Sequence, residues 1–289
     1  MTSISLIEYA RLFLLLVIDS VLFCCAMAKK TFIVTGAYGG IGKAICEILA
    51  QDHTRQIILA GRNEKALNTA VEEVKAKTKN PAIQGYVVDF SSRRSIESFA
   101  AQLKDQPVDV LINNHATGPQ KREVNEDDIE LQFATNVLGY VWMTNALENN
   151  LKRCAPHARI VNVASYWAGG LDINDLEFKR RSYTTDAAYQ QAKQANRMLT
   201  LAYADKYLHD GITVNVCHPG DSNTKLSNSM GFGGHETPEQ SAQTPVYLAT
   251  SDDVAKVTGK YFRDCKIQND SFMKDRELVQ KLYDICQKY

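Results

Sequence analysis

From residue 30 onward the chain alternates short apolar runs, rich in β-branched residues, with longer stretches whose apolar positions recur at helical spacing. A strand covered by helices on both faces reads as an unbroken apolar run, whereas a helix packed on one face shows the 3.6-residue period. The runs predict strands over 31–35, 56–60, 85–89, 108–113, 159–164, 213–218 and 260–263. The periodic stretches predict helices over 41–52, 64–78, 92–104, 127–151, 187–209 and 237–249. This order gives an α/β fold with one doubly wound parallel sheet of about seven strands. No repeat or low-complexity linker interrupts it, so 29–289 reads as a single domain. The irregular stretch 221–236, with Gly231, Gly233 and Gly234, fits either a lid or an ordinary surface loop.

A length of 289 residues suits one large domain. A formal net charge of +0 points away from nucleic acid as a partner. The seven cysteines are odd in number, scattered and without a C-x-x-C pair, so they read as free thiols with no metal site. Residues 1–28 form a separate apolar segment, nearly uncharged over 12–28 apart from Asp19. Three readings fit it. As a membrane anchor it is just short of the roughly 20 residues a span needs. As a cleaved signal it ends on Ala26-Met27-Ala28. As an upstream extension it leaves Met27 as the true start. An anchor implies the endoplasmic reticulum or another membrane; a start at Met27 implies the cytoplasm.

The first strand runs into Thr35-Gly36-Ala37-Tyr38-Gly39-Gly40-Ile41-Gly42-Lys43 and then a helix. Glycines let a backbone turn tightly against a pyrophosphate, and the helix N-terminus supplies unpaired N–H groups. A P-loop does not fit, because Ala37 and Ala44 replace its first glycine and its Ser or Thr. A plain strand-to-helix turn remains the alternative. Where an acidic residue would hold the adenosine ribose of NAD(H), the second strand ends in Gly61-Arg62. A guanidinium there would pair with a 2′-phosphate, favouring NADPH/NADP+, unless Arg62 is merely solvated. Asp89, ending the third strand, is placed to accept from the adenine amino group or to cap the next helix.

Tyr189-Gln190-Gln191-Ala192-Lys193 sets Tyr and Lys four residues apart on one helix face. An ammonium beside a phenol favours its ionised form and makes it a usable proton donor near neutral pH. Of the 13 tyrosines only Tyr189 has this spacing. Ser165 ends the fifth strand at the carboxyl edge, where ligands bind in open α/β sheets, or else caps the next segment. Asn136 is a polar position on an apolar helical face. It either disturbs the helix and retains a water, or satisfies a buried backbone group.

These residues, in this order, make the chain resemble the short-chain dehydrogenase/reductase family over residues 30 to about 265. Thr35-Gly36-x-x-x-Gly40-Ile41-Gly42 resembles its cofactor turn, Asn113-Asn114-His115-Ala116 its Asn-Asn-Ala-Gly motif, and Tyr189-x-x-x-Lys193 its active-site motif. Asn136 and Ser165 fall on the other two members of its catalytic tetrad, and Pro219-Gly220 on its turn beside the nicotinamide. The resemblance implies a Rossmann fold and a cofactor held by Gly36, Tyr38, Gly40, Ile41, Gly42, Arg62, Asp89, Asn113, Tyr189, Lys193, Pro219, Gly220 and Thr224. Leu171-Asp172-Ile173-Asn174-Asp175-Leu176 between Ser165 and Tyr189, with His218-Pro219-Gly220, is similar to the retinol dehydrogenase-like subgroup, which includes WW-domain oxidoreductases. That likeness implies an NADPH-dependent enzyme acting on a lipophilic carbonyl or alcohol such as a retinoid or steroid, with membrane association through 12–28 and a homo-oligomer both compatible. Two departures stand out: His115-Ala116 replaces Ala-Gly, and Asp221-Ser222-Asn223 follows Pro-Gly where an apolar residue is usual. The competing function is a non-catalytic NADPH-binding sensor or scaffold on the same fold, for which His115 is the supporting feature.

Overall fold

A computed structural model describes residues 29–289, and Thr31–Tyr289 form one compact unit. The apolar segment 12–28, and with it the anchor, signal and alternative-start readings, lies outside the described residues. Among the described residues no helix is long and apolar enough to cross a membrane, and no cluster of side chains could hold a metal ion.

The elements are β1 (Lys30–Thr35), α1 (Gly40–Leu49), β2 (Arg55–Gly61), α2 (Glu64–Thr78), β3 (Ile83–Val87), α3 (Arg93–Leu103) and β4 (Val110–Asn113). A π-helical turn (Phe133–Leu138), α4 (Gly139–Ala146), α5 (Glu148–Lys152), β5 (Arg159–Val163), α6 (Thr185–Lys206) and β6 (Thr213–Cys217) follow. The chain ends with α7 (Lys225–Ser229), α8 (Pro238–Ser241), α9 (Gln243–Thr250), β7 (Tyr261–Arg263), β8 (Lys266–Gln268) and α10 (Arg276–Cys286). The sheet order is β3-β2-β1-β4-β5-β6-β7-β8. Strand β2 pairs in parallel with β3, β4 with β1 and β5, and β6 with β5 and β7, while β8 is antiparallel to β7. Successive side chains of a strand face opposite ways. In β1, Ile33 therefore joins the core beneath α3, α4 and α6, while Phe32 and Val34 join the core beneath α1 and α2.

The sheet has eight strands, in keeping with the about seven expected, the last added where Asp264 and Cys265, at φ 51° and 57°, turn the chain back into β8. Two expectations change. The third strand lies at Ile83–Val87, two residues earlier than the apolar run suggested. The helix expected over 127–151 starts late and is broken. Asp128 sits at φ 60° and Val124 bridges Glu130 in an antiparallel pair, which keeps this stretch out of the helix. The π turn then passes to α4, which ends at Ala146 with Leu147 as its C-cap.

The chain builds β1, β2 and β3 outward on one side, then returns to place β4 on the other side of β1. The crevice at the carboxyl ends of β1 and β4 is thus a topological switch point, where open α/β sheets bind ligands.

Candidate active site

Thr35, at the tip of β1, closes the switch point. Its hydroxyl oxygen accepts from Asn114 N–H at 2.8 Å and His115 N–H at 3.2 Å, and Asn114 Nδ2 donates to Thr35 O at 3.0 Å. The turn that follows tolerates no side chain at two places. Gly36 sits at φ 65° with a Cβ position 2.9 Å from His115 Cα, and a Cβ on Gly42 would lie 2.7 Å from Asn114 Nδ2 and against the Gly36 carbonyl. Helix α1 then begins on Gly39 with no side-chain cap and no acidic residue in its first turn. By contrast α2, α3 and α6 are capped by Asn63, Ser92 and Thr184. Uncapped N–H groups at the positive end of α1 suit a pyrophosphate. The turn thus fits a dinucleotide.

Tyr38 packs its ring over Gly61, where a Cβ would collide with it. Arg62 follows at the exposed end of β2. Tyr38, Asn63 and Lys65 line a hollow of ≈ 370 Å³ beside it. Lys43, the other cation of the turn, is paired with Glu73 and Glu47. Asp89 Oδ1 accepts from Ser91 N–H at 2.9 Å and Ser91 Oγ–H at 2.7 Å, while the cap of α3 is Ser92.

A second cleft of ≈ 370 Å³ brings together Ile41, Ser165, Tyr189, Pro219, Gly220 and Thr224, with Trp167, Leu226, Met230 and Phe232 on its apolar wall. The 221–236 stretch is a folded excursion rather than an open loop. Thr224 and Ser227 form a capping box on α7, and Ser222 bridges Glu236. Phe232 meets Trp167 edge-on at 4.6 Å between ring centroids, and Trp167 lies 6.1 Å from Tyr189. Ser165 Oγ accepts from Trp167 N–H at 3.0 Å, and its hydroxyl is also hydrogen-bonded with Tyr189.

Lys193 Nζ donates to Val163 O at 3.0 Å and sits 5.4 Å from the Tyr189 ring centroid. Burial brings the lysine down to about 7. Burial also pushes the Tyr189 phenol up to about 12, partly offset by its hydrogen bond with Ser165. The lowering of Tyr189 expected from Lys193 is therefore not built into the protein alone, because burial removes much of the lysine's own charge near neutral pH.

Asn136 is fully buried in the π turn. Its Oδ1 accepts from Thr117 N–H at 2.8 Å, and Nδ2 donates to Thr117 O at 2.9 Å and Gln132 Oε1 at 3.2 Å. The helix is disturbed as one reading held, yet the side chain satisfies backbone as the other held. Asn113 is equally buried, donating to Asn162 Oδ1 at 3.0 Å, so its side chain ties β4 to β5.

His115 is not part of the cleft. Its ring stacks on Phe90 at 3.9 Å and meets Tyr140 edge-on. Nε2 lies 3.0 Å from Thr135 O, a pure acceptor, so Nε2 carries the proton and Nδ1 accepts from Thr35 Oγ–H at 2.8 Å. Burial first, then the Lys193 charge, hold it well below the usual histidine range. Gly139 leaves the room, since a Cβ there would lie 2.7 Å from Nε2. His218, which does line the cleft, is brought down to about 4 chiefly by burial, and its Nδ1 has no partner among the described residues.

The short chain dehydrogenase family profile matches residues 30–231. Retinol dehydrogenase 13 of Homo sapiens is 35% identical over 88% of this chain and 82% of that protein. Retinol dehydrogenase 14 of Homo sapiens is 32% identical over 90% and 86%, and the chloroplastic short-chain dehydrogenase TIC 32 A of Brassica napus 33% over 89% and 88%. Among solved structures, an uncharacterized protein from Mycobacterium Paratuberculosis superposes with a TM-score of 0.74 at 24% identity, covering 91% of this chain and 93% of that one. An actinorhodin polyketide ketoreductase with NADPH gives 0.65 at 24% identity, covering 82% and 96%. Sequence motifs, sheet order and cleft agree with these matches: the chain belongs to the short-chain dehydrogenase/reductase family, in its retinol dehydrogenase-like subgroup, and is a nicotinamide-dependent oxidoreductase of alcohol or carbonyl groups.

Proposed function

We propose that the protein is an NADPH-dependent oxidoreductase of a lipophilic carbonyl or alcohol. The observation that carries this reading is the meeting of Ser165 and Tyr189 in one cleft with Ile41, Pro219, Gly220 and Thr224 on one side and Trp167, Leu226, Met230 and Phe232 on the other. NADPH would supply the hydride. Gly36, Gly40 and Gly42 form the turn that lets its pyrophosphate approach the N–H groups of α1, and Arg62 offers its guanidinium to a 2′-phosphate. Lys65, overlooked in the sequence, adds a cation to the hollow that Tyr38 and Asn63 line.

Ser165 donates to the substrate oxygen while Trp167 N–H fixes its hydroxyl. Tyr189 delivers the proton to that oxygen as the carbonyl carbon is reduced. Lys193, anchored on Val163 O, is charged below about 7 and contributes positive potential to the phenol in that range. Asn136 sits in the π turn with its amide held by Thr117 and Gln132, and its Oδ1, which accepts a single bond, keeps a lone pair for the water that would link Lys193 to solvent. The apolar wall excludes water and favours a hydrophobic substrate. The reading includes membrane association through residues 12–28, carried by their apolar run alone; fractionation of the full chain against one starting at Met27 tests it.

The functional test is a panel of retinoid, steroid and simple aliphatic carbonyls with NADPH and NADH in parallel. The expected result is turnover of the lipophilic members, with kcat/KM for NADPH at least ~10-fold above NADH and the preference lost in Arg62→Ala. NADH preference in the wild type, or a preference indifferent to Arg62, contradicts the cofactor assignment.

A further inference from the structure

Tyr189, Lys193 and Arg197 follow one another at four-residue steps along α6, so they share a helix stripe. The first two belong to the proposed chemistry; the third is a buried guanidinium that it does not use. Arg197 is 6% exposed. Its Nη2 donates to the backbone carbonyl of Ser165 at 2.5 Å, and its Nη1 to Asp270 Oδ2 at 3.4 Å. The guanidinium carbon lies 3.8 Å from the centroid of the Tyr261 ring and 5.6 Å from that of Phe272. Asp270 is 9% exposed, and its Oδ1 is held by Phe272 N–H at 2.9 Å.

A guanidinium taken out of water is costly unless its charge is paired and its N–H groups find acceptors. Here the charge is paired with Asp270 on the 269–275 segment, and one arm of the planar fork reaches the Ser165 carbonyl. Ser165 is thereby held at two points, its hydroxyl by Trp167 N–H and its carbonyl by Arg197. Two tethers on one residue fix its position more tightly than the sheet edge alone, because Ser165 lies two residues beyond the end of β5.

We infer that Arg197 is a positioning residue for Ser165, braced by Asp270 so that the C-terminal segment sets the geometry of the cleft. The inference rests on the proposed role of Ser165 in holding the substrate oxygen. Arg197 itself touches no substrate, and its effect must pass through Ser165.

The decisive variant is Arg197→Met/Asp270→Leu, which removes both charges together and leaves neither buried alone. Its expected behaviour is a thermal midpoint near that of the wild type, unchanged NADPH binding by fluorescence, and kcat reduced ~10- to 100-fold, the scale of a displaced reacting group. In a Ser165→Ala background the same pair should lower kcat by less than ~2-fold, because the group it positions is already gone. A folded double variant with wild-type kcat overturns the inference, and so does a loss that multiplies undiminished with Ser165→Ala. If the double variant does not fold, Asp270→Asn is the second probe; it keeps the shape and removes the brace. It should fold, bind NADPH normally and lose ~3- to 10-fold in kcat, whereas an Asp270→Asn protein with wild-type kcat overturns the brace. A readout independent of turnover separates this inference from the functional reading. A crystal structure of whichever variant folds should show Ser165 displaced by more than ~0.5 Å, the tolerance of a productive site; an unmoved Ser165 overturns the inference even if the wild type reduces nothing on the panel.

Discussion

Replacing His115 by alanine tests whether the ring that departs from the family motif holds the site's framework. The substitution deletes the bond to Thr135 O at 3.0 Å, the bond with Thr35 Oγ1 at 2.8 Å and the stack on Phe90 at 3.9 Å. Truncating a buried aromatic ring to alanine costs about 3–5 kcal/mol, and an orphaned buried partner about 1–3 kcal/mol, though such losses overlap. The expected destabilisation is about 4 kcal/mol by urea unfolding at pH 7.5. The pH dependence supplies a sign. Because the folded ring titrates well below 6.5, the unfolded chain binds more protons in acid, and the wild type loses stability as pH falls below 6.5. The variant lacks that loss, so the gap between the two should narrow in acid. A gap below about 1 kcal/mol at pH 7.5, or one that widens in acid, would refute the reasoning.

Glu130 carries the opposite dependence. It is 1% exposed and burial raises it to about 7, so the folded state keeps its proton longer than the unfolded chain and stability falls as pH rises from 4.5 to 7. Relative to wild type, Glu130→Gln should gain up to about 3 kcal/mol across that window and level off above it, and denaturation curves with a pH-independent difference would count against the assignment. Gly42→Ala should cost about 1–3 kcal/mol and weaken NADPH binding at least ~10-fold, read by melting and by fluorescence titration, because a Cβ meets the Gly36 backbone and Asn114. Unchanged affinity would mean that the turn does not approach the cofactor.

The strands and the Tyr189–Lys193 pair were legible because both rest on local regularities: unbroken apolar runs and a four-residue helical step. The β8 hairpin was hidden, since both turn residues, Asp264 and Cys265, adopt φ above 50° without the glycine that usually announces it. The π turn leaves no period to read over six residues, and Asn136 was its single cue. The overshoot at 127–130 had a readable signal. Asn125 Oδ1 accepts from Asp127 N–H and Ile129 N–H, and Asn followed by acidic residues is turn chemistry. Thr35, Trp167 N–H and Arg197 were missed for two reasons. Thr35 and Arg197 act through bonds between residues 79 and 32 positions apart, and the Trp167 contact uses a backbone group that any residue would supply. His115 was visible as a departure, but only the structure shows that it faces Thr35 and the π turn rather than the cleft.

The central claim is that Tyr189 is the proton donor in this cleft. The most direct measurement is single-turnover NADPH oxidation by Tyr189→Phe against the best carbonyl of the panel, with NADPH affinity measured alongside. The account predicts unchanged affinity and a rate lower by ~100-fold or more, the contribution of a positioned general acid. A Tyr189→Phe protein that binds NADPH and keeps the wild-type rate would contradict it.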